Sequence, residues 1–257
     1  MSEDRNPHRE DNSIIAGRNA VLEALHADVE LDKLFVADRQ QAGSINKIVA
    51  LARQRGVVVK QVSDQKLSAL CGSENHQGVV ATASCARYAT VEELLETASA
   101  KGESPFLILA DGVEDPHNLG ALIRTAEAAG AHGLIIPKRR SASLTAVVQK
   151  TSAGAVNHLP VARVANLAAT MDRLKEAGLW FYAADMNGTC WCEQDYSGSC
   201  GLVIGSEGEG VSRLVLEKCD FCVSLPMLGK VTSLNASVAG GILMYEIARQ
   251  RLKLKAK

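Results

Sequence analysis

The run "PFLILADGVEDPHNLGALIRTAEAAGA", Pro105 to Ala131, changes character halfway. Its first part, "PFLILADGV", is continuously apolar with no polar alternation. That pattern belongs to a strand buried on both faces, as in a parallel sheet. Its second part places Leu119, Leu122, Ile123 and Ala126 at helical spacing, a stripe for burial. Downstream, "HGLIIP", "HLPVA", "GLWFYAAD", "CGLVIG" and "CVSLP" read as further strands alternating with helices. Such alternation predicts an α/β domain whose parallel sheet is covered on both faces.

Upstream, the alternation repeats on a smaller scale. "GRNAVLEALHA" reads as a helix, "LDKLFVAD" as a strand, and "SINKIVALARQRG" as a helix from Ser44 that stops at Gly56. "VVVKQV" and "GVVATAS" read as strands around the capped helix "SDQKLSALCG". The expected organisation is a disordered tail over 1–12, a small α/β module over 13–87, a linker and first helix over 88–104, and a larger domain over 105–257.

Composition removes several classes. The chain has 257 residues, 47% hydrophobic and 22% charged, enough for one large or two modest cores. "MSEDRNPHREDN" has no apolar core of a signal peptide, and no stretch approaches the roughly 20 apolar residues that span a bilayer. The expectation is a cytoplasmic protein without a membrane partner. A net charge of −1 is not that of a strongly basic nucleic-acid binder. Local basic clusters, "PKRR" at Pro137–Arg140 and "RQRLKLKAK" at the C-terminus, can still meet a phosphate backbone or simply be solvated. The seven cysteines are an odd number in a chain too large to need a disulfide framework. A zinc site from Cys190, Cys192, Cys219 and Cys222 is disfavoured, because "CDFCVSLP" reads as a strand and "CWC" is too tight for a knuckle. No metal is expected.

Ligands of open α/β sheets bind beyond the carboxyl ends of the strands, and three such ends carry polar chemistry. After the first, Asn118 stands at the expected helix start. Gly120 and Arg124 are four residues apart, so glycine leaves room beside the arginine for something bulky. A cap and a surface charge explain the same residues. The second, "GLVIGSEGEGVS", is a Gly-rich turn without the GK[ST] of a phosphate loop. Its Glu207 and Glu209 suit a neutral or cationic ligand, such as a nucleoside or a sulfonium, although a tight turn with two solvated glutamates has the same sequence. The third, "LPMLGKVTSLNASVAGG", brings Ser233, Leu234 and Asn235 to a helix start. Ser233, Ser237 and Gly241 fall at i, i+4, i+8, a small-residue face for a close backbone partner, for which packing alone is a sufficient reason.

"NLGALIR", "IGSEGEG" and "LPMLGKVTSLNASVA" resemble, in order, the three motifs of the SpoU (TrmH-type) RNA 2′-O-ribose methyltransferases of the SPOUT superfamily. The match spans about residues 105–250. "GRNAVLEAL" and "HQGVVA" resemble the preceding substrate-binding domain of the bacterial 23S rRNA guanosine-2′-O-methyltransferase branch. The resemblance implies an S-adenosylmethionine-dependent enzyme, a homodimer with a deep C-terminal trefoil knot, and an N-terminal module like the L7Ae/L30e RNA-binding proteins. It implies cofactor contacts at Gly205, Glu207, Gly208, Leu225, Met227, Leu234, Asn235 and Ala236, and a catalytic set of Asn118, Arg124, Glu207, Ser233 and Asn235. The target would be RNA, a guanosine of 23S rRNA in that branch. A tRNA enzyme, a resistance rRNA methyltransferase of the same family and a non-catalytic RNA-binding assembly factor stand as alternatives.

Overall fold

The computed structural model describes residues 14–27, 29–38 and 43–254. The expected tail over 1–12 and the last three residues of the basic C-terminal run lie outside the described residues. Two compact units emerge, one running to Ala86 together with Ser143–Ala146, the other from Arg87 to Ala142 and from Val147 onward.

The first unit runs β1 (Ile14–Ala16), α1 (Arg18–His26), β2 (Leu31–Ala37), α2 (Gly43–Gln54), β3 (Val58–Val62), α3 (Asp64–Cys71) and β4 (Val79–Ala83). The sheet order is β1-β4-β2-β3. Strand β3 is parallel to β2, and β4 is antiparallel to both β1 and β2. Successive residues of a strand face opposite ways, and β2 obeys this. Leu34 and Val36 join Val21, Leu25, Ile45 and Ile48 of α1 and α2, while Phe35 and Ala37 meet Leu67 of α3. The short edge strand β1, only 3 residues long, gave no periodicity to read.

The second unit continues with α4 (Val91–Lys101), β5 (Phe106–Ala110), α5 (Pro116–Ala128), β6 (Gly133–Pro137), α6 (Ala146–Thr151), β7 (Val161–Val164), α7 (Leu167–Glu176), β8 (Trp180–Cys190), β9 (Cys200–Ile204), α8 (Arg213–Leu216), β10 (Phe221–Ser224) and α9 (Ala236–Arg251). All six strands are parallel, in the order β10-β8-β9-β5-β6-β7. Every residue of β5 and β9 is buried, as a strand covered on both faces requires. On one face Leu107, Leu109, Phe181 and Val203 pack with Leu94 of α4 and Met171 and Leu174 of α7. Helix α4 starts at a capping box between Thr90 and Glu93 and stops at Gly102, whose φ is +67°. Helices α5 and α9 pack together, against β6 and β9 respectively.

Two expectations change here. The close approach of α9 does not run along Ser233, Ser237 and Gly241. Ser233 precedes the helix, and a Cβ on Gly241 would meet only Thr125 at 3.5 Å. Gly240 makes the tight contact, where a Cβ would lie 2.8 Å from Leu122 of α5. Strand β8 also runs beyond the expected "GLWFYAAD". Its register with β10 jumps from Ala183 opposite Cys222 to Thr189 opposite Val223. The chain re-enters the sheet because Gly188 lets the two backbones nearly touch: a Cβ there would sit 2.4 Å from the Cys222 carbonyl carbon.

Candidate active site

The loops after β5, β9 and β10 meet at the carboxyl end of the parallel sheet. Asp115 caps α5, its Oδ1 accepting from the His117 amide at 3.0 Å, with Pro116 at the first helical position. Asn118, expected at the helix start, therefore lies inside the first turn and does not cap it. Its side chain, in a residue 8% exposed, donates through Nδ2 to Glu207 Oε1 at 2.9 Å and accepts through Oδ1 from Asn235 Nδ2 at 2.9 Å. Asn235 Nδ2 also hydrogen-bonds Glu207 Oε1. The three residues close a triangle between the first turn of α5, the turn after β9 and the N-cap of α9.

The Gly-rich turn is folded by its own backbone. Ser206 and Gly210 exchange amide–carbonyl bonds at 3.0 Å each way, and Gly210 has φ +68°. A Cβ on Gly205 would lie 2.0 Å from the Gly210 carbonyl carbon, so only glycine fits at the end of β9. Gly208 has no neighbour within 4 Å of a would-be Cβ and stands open. Asp111 ties the β5 loop to this turn, its Oδ2 accepting from the Ser212 amide at 2.7 Å. On the third loop Asn235 also caps α9, its Oδ1 accepting from Ser237 and Val238 amides at 3.0 and 3.3 Å.

Two cavities flank the triangle. The first, about 390 Å³, is walled by the β9 turn, the β10 loop and residues 184–187 of β8. Gly205, Glu207, Gly208, Leu225, Met227, Leu234 and Ala236 all line it, as does Ser233. Asn235, expected among the cofactor contacts, does not; its amide is turned to Asn118 and Glu207. The lining includes Asp185, Glu207 and Glu209 and no lysine, arginine or histidine. Carboxylates with apolar side chains and no cation suit a positively charged, phosphate-free ligand. The second cavity, about 540 Å³, shares Ser206, Glu207, Glu209 and Ala236 with the first and adds Glu114, Asp115, Asn118 and Arg140.

Arg124 is not brought to this set within the chain. It is exposed and lines neither cavity, six residues beyond Asn118 and so about 120° around the helix from it. The space expected beside Gly120 is taken by protein. A Cβ there would meet Thr151 Oγ1 at 1.9 Å and the Ser152 amide nitrogen at 3.1 Å. The basic C-terminal run is also partly engaged: Arg249 pairs with Glu246 through two 2.7 Å bonds, and Arg251 donates to the carbonyls of Ser104, Pro105 and Gly198. Sequence reading missed the β8 wall, and it named Arg140 only within a basic cluster, not as part of this site. "DMNG" after an apolar run was a visible loop signal, but the +55° φ of Arg140 had none. Among the described residues no group of three or more His, Cys, Asp or Glu could hold a metal ion, and no helix is long and apolar enough to cross a membrane.

The sequence pattern of the SpoU rRNA Methylase family matches residues 105–245, the part that builds both cavities. The chain belongs to the SpoU rRNA methylase family. A second pattern, for substrate binding in RNA 2′-O ribose methyltransferases, matches residues 14–89. The TrmH-family protein YacO of Bacillus subtilis is 47% identical over 242 residues, covering 92% of this chain and 95% of that one. A TrmH-family relative from Staphylococcus saprophyticus is 45% identical over 239 residues, 93% of this chain and 96% of its own. Among solved structures, an AdoMet-bound rRNA methyltransferase from Sinorhizobium meliloti superposes with a TM-score of 0.58 at 26% identity, covering 97% of this chain and 91% of that one. The SpoU methyltransferase AviRb from Streptomyces viridochromogenes shares the fold, with a TM-score of 0.59 over 96% of this chain and 95% of that one at 23% identity. As a SpoU/TrmH methylase the chain is an S-adenosylmethionine-dependent RNA methyltransferase. The cation-free, carboxylate-bearing first cavity fits that cofactor, a sulfonium nucleoside without phosphate.

Proposed function

We propose that this SpoU methylase methylates a ribose 2′-oxygen of RNA, a guanosine of 23S rRNA, as a cytoplasmic homodimer. The observation that carries the reading is the Asn118–Glu207–Asn235 triangle, set at the seam between a cation-free cavity and a second, polar one. S-adenosylmethionine, held in the first cavity, would supply the electrophilic methyl. Gly205, Gly208, Leu225, Met227, Leu234 and Ala236 would hold it, largely by shape and backbone. The second cavity would receive the target nucleotide, since it shares the wall of Ser206, Glu207, Glu209 and Ala236 with the first.

The protein's part is alignment. Asn118 and Asn235 hold Glu207 as an acceptor, which would fix the Gly-rich turn between the two ligands. Ser233, exposed at the cavity mouth, would orient substrate. Arg124 would bind an RNA phosphate and stabilise developing charge on the 2′-oxygen. Its guanidinium, with a pKa above about 12, is a poor base. Arg124 lies outside its own chain's cavities, and α9 exposes Val238, Ile242 and Tyr245 at helical spacing. Both observations favour a dimer in which Arg124 serves the neighbouring copy's site. A knot is favoured by the sheet order, with β9 between β5 and β8, and by the β10 loop lying against the β9 turn in one cavity.

The deciding experiment supplies methyl-labelled S-adenosylmethionine with unmodified 23S rRNA, 16S rRNA or tRNA, then digests with alkali. Label in alkali-resistant dinucleotides from 23S rRNA is expected. Label from tRNA would keep the chemistry and replace the substrate. Absence of label from every pool would overturn the catalytic reading. For the dimer, Arg124→Ala and Asn118→Ala proteins, each inactive alone, regain part of the activity when mixed. No regain would place Arg124 with its own site.

A further inference from the structure

We propose that Cys190 and Cys192 are a redox-modification site, a dithiol that exchanges with a low-molecular-weight disulfide and on oxidation reshapes the first cavity's β8 wall. Their Sγ atoms lie 3.3 Å apart, in hydrogen-bond contact. A disulfide holds sulfurs at about 2.05 Å, so closure needs a movement of about an ångström. Cys192 is exposed and Cys190 half-buried, within reach of a small reagent. Cys200 and Cys219 are less available, because burial pushes them up to about 11 and up to about 12. The hydrogen bond from Cys190 raises Cys192 as well, so what sets the pair apart is the closeness of its sulfurs and their access.

The exchange balances. A thiolate of the pair attacks the small disulfide and expels one small thiolate, leaving a mixed disulfide. The second cysteine loses its proton, attacks the protein sulfur of that bond and expels the other small thiolate. The two cysteines give up two electrons, the small disulfide takes them, and the two thiol protons end on the released thiols.

The pair is joined to the cavity through the backbone. Residues 184–187 line the first cavity, in the stretch where β8 leaves its register with β10. That stretch is pinned again at Thr189 and Cys190, opposite Val223 and Ser224. Ser224 Oγ donates to the Gly188 and Thr189 carbonyls at 2.9 and 3.2 Å, and Ser224 itself lines the cavity. On the far side of the pair, the turn is anchored to α9: Gln250 Nε2 donates to the Gln194 carbonyl at 2.9 Å, and its Oε1 accepts from the Tyr196 amide at 2.9 Å. Drawing the sulfurs together against that anchor shifts the Cys190 end, and with it the wall. The effect on affinity rests on the reading of the first cavity as the cofactor's.

The test uses full-length wild type and Cys192→Ser, each treated with oxidised glutathione or with dithiothreitol. Alkylation and peptide mass mapping locate the disulfide, and calorimetry reads S-adenosylmethionine affinity. Oxidised wild type is expected to carry a Cys190–Cys192 link and to bind the cofactor several-fold more weakly, with recovery in dithiothreitol. Cys192→Ser binds equally under both conditions. Free thiols or stable mixed disulfides at both positions overturn the proposal, as does a linked protein that binds like the reduced one. If reduced wild type binds no cofactor, the cofactor reading fails and takes the affinity effect with it, an outcome distinct from a reduced protein that binds and an oxidised one that does not change.

Discussion

Asn235 uses both ends of its amide. The oxygen caps α9, and the nitrogen reaches Asn118 and Glu207. The two roles separate by substitution. Asn235→Ser keeps a capping oxygen and loses the amide nitrogen that reaches Asn118 and Glu207, so thermal melts should stay close to wild type while methyl transfer collapses. Asn235→Ala loses both, and should cost a further ~1 kcal/mol of stability at similarly low activity. An active Asn235→Ser would show the triangle to be structural only. The polar residues of this site were legible in the sequence, because apolar strands locate the loops that follow them. Their partnerships were not. Asn118 lies 89 residues from Glu207 and 117 from Asn235, so strand order alone brings them together. Arg124 was legible as a motif residue, but helical spacing says which residues share a face and not which face meets a cavity. Gly120 misled for a similar reason: a missing side chain signals closeness without naming the neighbour, here Thr151.

Strand β8 is half scaffold and half wall. It pairs with β9 from Trp180 to Ala183, with both neighbours at Tyr182 and Ala183, and after Gly188 with β10 alone. The stretch between shapes the first cavity, so any change that lifts its second anchor should be felt there. Gly188→Ala forces a methyl against the Cys222–Val223 backbone, which has no side chain to move aside. It should destabilise by about 1–3 kcal/mol and weaken cofactor binding more than Asn187→Ala does. Chemical denaturation and calorimetry on the two variants check this; equal affinities would uncouple the anchor from the wall. The sequence showed the apolar first half and broke off at Asp185, since a strand that leaves its partner and returns has no period to follow.

At the scale of the whole molecule, one part of the pH dependence of stability comes from the buried imidazole of His132. His132 Nδ1 accepts from the Phe106 amide at 3.0 Å, so Nε2 carries the proton toward Glu103, also at 3.0 Å. Burial holds this histidine below its ordinary range, against the Glu103 hydrogen bond that pulls it upward. The unfolded chain takes up a proton near pH ~6.5 that the folded chain resists, so this contribution is complete above that pH and is lost as pH falls through it. Thermal midpoints of wild type should drop more steeply between about pH 7.5 and 5.5 than those of His132→Asn; parallel curves would assign the loss to other groups. The order of the parallel sheet also has a consequence in time. Strand β5 emerges early in synthesis of the second unit, but its neighbour β9 follows only after β6, β7 and β8. At typical translation rates those intervening ~90 residues take on the order of 10 s. For that interval one hydrogen-bonding edge of a fully apolar strand in the nascent chain has no partner, and it is open to pairing with another chain until β9 arrives.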